Sequence, residues 1–416
     1  MNRLYRLFLF FIVSMVFSTA MAQVKNDRWL EQLLLSRASP LLQNILHHKD
    51  SFQYQIIYTQ IDRNARNQPQ FKHHYLNVDH NRYFNPASTV KLPTVLAAFE
   101  KLNDMNIDGV NKYTTLLTDS AFSRQTPVTT DTSAADGLPS VAHYAKKIFL
   151  VSDNDAYNRL YEFTGQQTLN EKLWQKGYKD IRITRRFTPM TPEENRHTNP
   201  VRFANGSTLL YQQPAAYSNV QFDFSKEIRI GRAHYNREEQ LVQEPMDFTQ
   251  HNNLPLQDLQ QIVQSVMFPQ SVPKKQRFHL SDDDYRFLYR YMSMLPSEST
   301  YPNYDTTEFF DSYTKFWYKG GKRKIPEHIR IFNKTGWSYG FLTDACYIVD
   351  FKNKVEFMLS AVIYVNADGV LNDNKYEYIE NGYPFFQEVG DILYEHELKR
   401  KRKYQPDLST FEQLKY

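Results

Sequence analysis

Strand patterns stand at the two ends of this chain and helical patterns fill its middle, and that order admits few folds. Phe52, Tyr54, Ile56, Tyr58 and Gln60 alternate with Gln53, Gln55, Ile57, Thr59 and Ile61, a period-two run that ends in the turn-forming stretch 62–67. A second strand near Phe71 to Val78 closes a hairpin. Strand patterns return only at Ile329–Lys334, Phe341–Phe351 and Val355–Val365. Between them the apolar spacing predicts helices over Val90–Leu102, Ser140–Phe149, Asp155–Phe163, Leu256–Met267 and Asp282–Met294. Asp27 caps a first helix carrying Trp29, Leu30, Leu33 and Leu34, and Ser39-Pro40 restarts it before Leu41, Leu42, Ile45 and Leu46. A last helix places Phe385, Phe386, Val389, Ile392 and Leu393 on one stripe.

The expected architecture is therefore one two-lobed α/β domain over about residues 23–403. An antiparallel five-stranded sheet is built from both chain ends and flanked by the terminal helices, with an all-helical lobe over about 88–325. The cleft between the lobes is the default place for chemistry. The polar, aromatic and weakly periodic stretch of about 189–247 reads as an extended loop insertion, and 404–416 as a C-terminal tail.

Composition narrows the function. With 50 Lys+Arg against 46 Asp+Glu the net charge is +4, too weak to argue for nucleic acid. A 41% hydrophobic content over 416 residues is enough for a large core. The single cysteine, Cys346, excludes an internal disulfide and cysteine-rich metal modules. The pairs His47-His48 and His73-His74 lack metal-binding spacing, and nothing in the sequence asks for a metal or organic cofactor.

Arg3 and Arg6 precede the apolar run Leu7 to Phe17, which ends in small residues at Ala20 and Ala22. Residues 1–22 read as a cleavable secretory signal rather than a retained anchor, because the run is shorter than the ~20 residues needed to span a bilayer. The expectation is a secreted, periplasmic protein with no stable membrane anchor after cleavage, acting as a monomer.

A hydroxyl needs a base within reach to act as a nucleophile, and Ser-x-x-Lys on a helix supplies one. The pattern occurs at Ser88/Lys91, Ser271/Lys274 and Ser312/Lys315. Ser271/Lys274 encloses Pro273, and Ser312/Lys315 has no apolar stripe behind it. Ser88 follows the turn signal Asn85-Pro86-Ala87 and opens an apolar segment, so it sits at a helix N-terminus that favours a developing anion. Pro93 fits only within the first turn or at a kink. Ser152-Asp153-Asn154 between two helices reads alone as a cap, and Lys334-Thr335-Gly336 alone as an edge strand.

Taken in order, the three motifs resemble those of the penicillin-recognising serine hydrolases, and Ser-Asp-Asn makes the chain most similar to the class A β-lactamases. The likeness spans about residues 28–400. It implies that Ser88 is the acylated nucleophile, Lys91 its activating amine and Ser152 a proton relay. It implies further that Asn154 holds the substrate amide and that Lys334, Thr335 and Gly336 form the strand gripping the substrate carboxylate. The backbone N–H groups of Ser88 and Trp337 would receive the oxyanion. The implied substrate is a small β-lactam or a peptidoglycan-like peptide.

Two features depart from that pattern. The Glu-x-x-Leu-Asn segment that activates the deacylating water is absent, and the corresponding stretch offers only Glu193 and Glu194, without the family spacing. Gly336-Trp337-Ser338-Tyr339-Gly340 is a literal GxSxG, but an elbow must run from strand into helix, and 341–349 reads as another strand. Three readings follow: a class A-type β-lactamase, a D-alanyl-D-alanine peptidase or amidase using the same serine, and a catalytically silent envelope binding module.

Overall fold

A computed structural model describes residues 26–416; the secretory signal expected at 1–22 lies outside the described residues. Five strands form one antiparallel sheet: β1 (Gln55–Arg63), β2 (Pro69–Leu76), β3 (Ile329–Ser338), β4 (Phe341–Asp350) and β5 (Val355–Tyr364), in the order β3-β4-β5-β1-β2. The ends of the chain meet where β1 pairs with β5, Gln55 opposite Val362. Alternation then sorts the side chains. Ile56 and Tyr58 of β1, with Cys346 and Ile348 of β4, pack under the helices α1 (Arg28–Leu35), α2 (Pro40–His47) and α9 (Tyr383–Lys399). Ile57 and Ile61, with Ala345, Tyr347 and Val349, face the helical lobe. Burial on both faces explains why β4 and β5 read as near-continuous apolar runs.

The helical lobe contains α3 (Lys91–Met105), α4 (Val141–Val151), α5 (Asn154–Thr164), α6 (Gln166–Gln175), α7 (Leu256–Met267) and α8 (Asp282–Ser293). Helix α6 has no counterpart among the expected helices: its apolar residues Leu169 and Leu173 are too few to mark a stripe, and Gly165, at φ 86°, separates it from α5. Pro93 falls in the first turn of α3, where a missing N–H costs no helical bond. Among the described residues no helix is long and apolar enough to cross a membrane.

Two other stretches differ from expectation. The 189–247 stretch is built of short pieces: a helix at Pro192–Arg196, a hairpin of Val201–Asn205 with Thr208–Gln213, and a ribbon in which Ala233–Tyr235 pairs with Leu241–Val242 and with Val370–Leu371. Strands of two to six residues are too short for alternation to register in sequence. The 404–416 segment docks: Phe411 is buried against Phe332, Tyr347 and Tyr289.

Candidate active site

Ser88 lies in a 3₁₀ turn, Ala87–Val90, that runs into α3. The turn is set by Asn85, whose side-chain oxygen accepts from Ala87 N at 3.1 Å, and by Thr89 N donating to Pro86 O at 3.0 Å. Ala87 is held at φ 43°, a left-handed conformation costly for a residue with a Cβ, immediately before the serine. Ser88 and Asn154 line a cleft of about 790 Å³ together with Arg185, Phe187, His251 and Trp337.

Lys91 is fully buried. Its amine donates to the backbone oxygen of Ser152, to Asn154 Oδ1 at 2.7 Å and, at 3.4 Å, to Ser152 Oγ. Ser152 ends α4 at φ 63°, which turns its side chain and carbonyl out of the helix end. Asp153 caps α5 by accepting from Ala156 N at 2.8 Å. The capping reading of Ser-Asp-Asn therefore holds for Asp153, while Ser152 and Asn154 turn to Lys91. From the sheet side, Lys334 Nζ donates to Ser152 Oγ at 2.9 Å and to Thr335 O at 2.7 Å. One hydroxyl thus joins an amine of the helical lobe to an amine of the sheet.

Gly336 brings the strand close enough for this. A Cβ there would stand 2.5 Å from Pro86 O and 2.8 Å from Ser88 N, so β3 packs backbone against backbone on the Ser88 turn. β3 is also the outer strand of the sheet, so alternate N–H groups of its free edge point away from β4. The Thr335 hydroxyl is buried and has no hydrogen-bond partner among the described residues.

Burial sets the charge of the amines. Desolvation, with the Lys334 ammonium adding to it, holds Lys91 well below the ordinary lysine range. Desolvation likewise brings Lys334 down to about 7, partly opposed by Asp344. Behind β3 lies a second buried cluster. Lys315 Nζ donates to Met292 O and Asn333 Oδ1, both at 2.6 Å, and Asn333 Nδ2 donates to Asp344 Oδ1 at 2.8 Å. Burial lowers Lys315 and raises Asp344. Lys319 sits over the rings of Trp337 at 4.1 Å and Tyr313 at 4.3 Å, and burial brings it to about 7.

The two acidic candidates lie elsewhere. Glu193 is exposed and pairs with His197 at 3.2 Å. Glu194 closes a capping box with Thr191 and accepts from Ser123 Oγ at 3.0 Å. Neither lines the cleft. From that loop Phe187 faces the Lys91 amine, its ring 5.2 Å from Nζ. Among the described residues no carboxylate forms an ion pair with Lys91. The GxSxG stretch is a hairpin turn between β3 and β4, with Tyr339 at φ 53° and Gly340 at φ 81°. Phe187, Arg185 and the ribbon residues 234–238 carried no motif, and Lys315 stood only in a Ser-x-x-Lys set aside for want of an apolar stripe. Only their position in space marks them.

Residues 39–221 match the model of the β-lactamase enzyme family. Among solved structures, PBP-A is 14% identical, with 89% of this chain and 97% of that chain covered and a TM-score of 0.49. A β-lactamase from Xanthomonas campestris pv. campestris is 13% identical, with 89% and 100% covered and a TM-score of 0.48. One from Sphaerobacter thermophilus is 13% identical, with 84% and 93% covered and a TM-score of 0.44. Among curated proteins none matches the chain. The matched segment contains Ser88, Lys91, Ser152 and Asn154.

Proposed function

We propose, from the ordered Ser-x-x-Lys, Ser-Asp-Asn and Lys-Thr-Gly motifs and the match of residues 39–221 to the β-lactamase family model, a secreted enzyme that opens the amide bond of β-lactams through an acyl-Ser88 intermediate. The observation that carries the reading is the Ser152 hydroxyl held between the amines of Lys91 and Lys334. Lys91, kept neutral by burial, takes the Ser88 proton as the oxygen attacks the carbonyl. The oxyanion is received by the N–H groups of Ser88 and Trp337, a reading supported by the close packing of Gly336 on the Ser88 turn. Ser152 passes a proton to the departing nitrogen. Asn154 orients the substrate amide, and Lys334 with the unpartnered Thr335 hydroxyl takes the substrate carboxylate.

A second reading has its own support. A water that hydrolyses the ester needs a base, and Phe187 stands in the loop where a carboxylate would face Lys91. An aromatic ring rather than a carboxylate beside Lys91 favours a long-lived acyl-enzyme, the behaviour of a penicillin-binding peptidase or amidase rather than a class A β-lactamase with fast turnover.

Incubation with penicillin G and a chromogenic cephalosporin, followed by intact mass and absorbance, separates the two. Rapid turnover lost in Ser88→Ala supports the first, and a persistent adduct on Ser88 supports the second. Folded protein giving neither signal would remove both and leave a binding role. Cell fractionation of the exporting host, with the N-terminus of the mature chain read by mass, tests cleavage near residue 22 and a periplasmic location.

A further inference from the structure

The reaction cleft opens into a side chamber of about 300 Å³. Arg185, Met190, Arg237, Asp247 and His251 line both spaces, whereas no residue of β3 lines the chamber. It therefore lies against the 184–196 stretch rather than against the strand that carries Lys334 and Thr335. Phe222 and Phe224 supply its apolar wall.

Its charge is lopsided. Arg185, Arg196 and Arg237 all line it, and among the described residues none of the three has a carboxylate within ion-pair distance. Arg185 donates to His251 Nε2 at 3.1 Å, and burial keeps that imidazole neutral, at about 3. Arg196 donates only to the backbone oxygens of Ser218 and Val220, at 2.8 and 2.9 Å. The one carboxylate in the chamber wall, Asp247, stands 3.5 Å from Arg229 and accepts from Thr249 N at 2.8 Å. A guanidinium offers a planar fork of donors that matches a carboxylate.

Building on the acyl-Ser88 reading, we infer that the chamber takes the acyl-side arm of the substrate and that this arm ends in a carboxylate. The substrate class is then an amide acidic at both ends: one carboxylate on the leaving side for Lys334, and a second at the far end of the acyl arm for the three guanidiniums. The aromatic wall covers the methylenes between.

Two ligands differing only in that charge test this: adipyl-penicillin and its side-chain methyl ester. Acylation of the wild-type protein and equilibrium binding to Ser88→Ala are both measured. The acid is expected to lead by about tenfold or more in each, as a charge-assisted contact supplies. The lead should shrink in R196Q/R237Q, checked for its melting point, and in wild-type protein at 1 M salt, where exposed charges are screened. Equal acylation and equal binding of acid and ester overturn the inference and leave the acyl-Ser88 reading standing. Preferential binding of the acid by Ser88→Ala without acylation of the wild type removes the hydrolase reading and keeps the chamber as a carboxylate site.

Discussion

A methyl group at Gly336 would land 2.5 Å from a backbone oxygen and 2.8 Å from the nitrogen of Ser88, and neither atom can move without the turn. Gly336→Ala is therefore expected to push β3 off the nucleophile, slowing Ser88 acylation by at least about tenfold and lowering stability by about 1–3 kcal/mol. Acylation rates and urea unfolding on the same variant check both. Phe187 is the matching test for deacylation: Phe187→Glu sets a carboxylate beside Lys91, and release of the penicillin adduct should accelerate by about tenfold or more, as a positioned base allows. The two amines also fix the pH response. Burial holds Lys91 well below the ordinary lysine range and so favours its neutral, basic form. Lys334, at about 7, loses the ammonium that attracts a carboxylate as pH rises through that value. The second-order rate of acylation should fall as pH rises above 7, in a profile measured by intact mass.

At the scale of elements, much of the site was legible because each motif lies at a junction that sequence marks. Asn85-Pro86 announces the turn before Ser88, Ser152 ends one helix as Asp153 caps the next, and Lys334 continues the apolar strand from Ile329. Helix α7 has the bounds its spacing predicts, and β3 runs four residues further, to Ser338, carrying Trp337 along the cleft. What stayed hidden depends on contacts between distant segments. Phe187 has meaning only against Lys91. The ribbon at 233–242 acquires its place by pairing with Val370–Leu371. The 404–416 segment, polar enough to read as a tail, is held by the buried Leu408 and Phe411 and by Tyr416 under Arg330. Phe411→Ala should therefore cost about 3–5 kcal/mol, the usual range for emptying an aromatic site, and would appear as a lowered denaturation midpoint with an unchanged slope.

Across the whole molecule, buried lysines make stability depend on pH in an uncommon direction. Lys319 and Lys334 lie at about 7 and Lys101 at about 8, whereas in the unfolded chain each holds its proton to the ordinary lysine value. Between these limits the unfolded state binds more protons, so stability rises with pH from about 7.5 to 9, below the onset of tyrosine ionisation in the unfolded chain. Lys319→Met should be more stable than wild type at pH 7.5 and should flatten that rise by about 1 kcal/mol per pH unit, as urea titrations at the two pH values would register. The sheet order has a consequence for how the protein comes into being. β1 emerges early in synthesis but must wait for β5, made near the end, before its inner edge is covered. Until then the hairpin has one unsatisfied flank, so assembly is governed by arrival of the C-terminal strands and proceeds on the slow side for a molecule of this size.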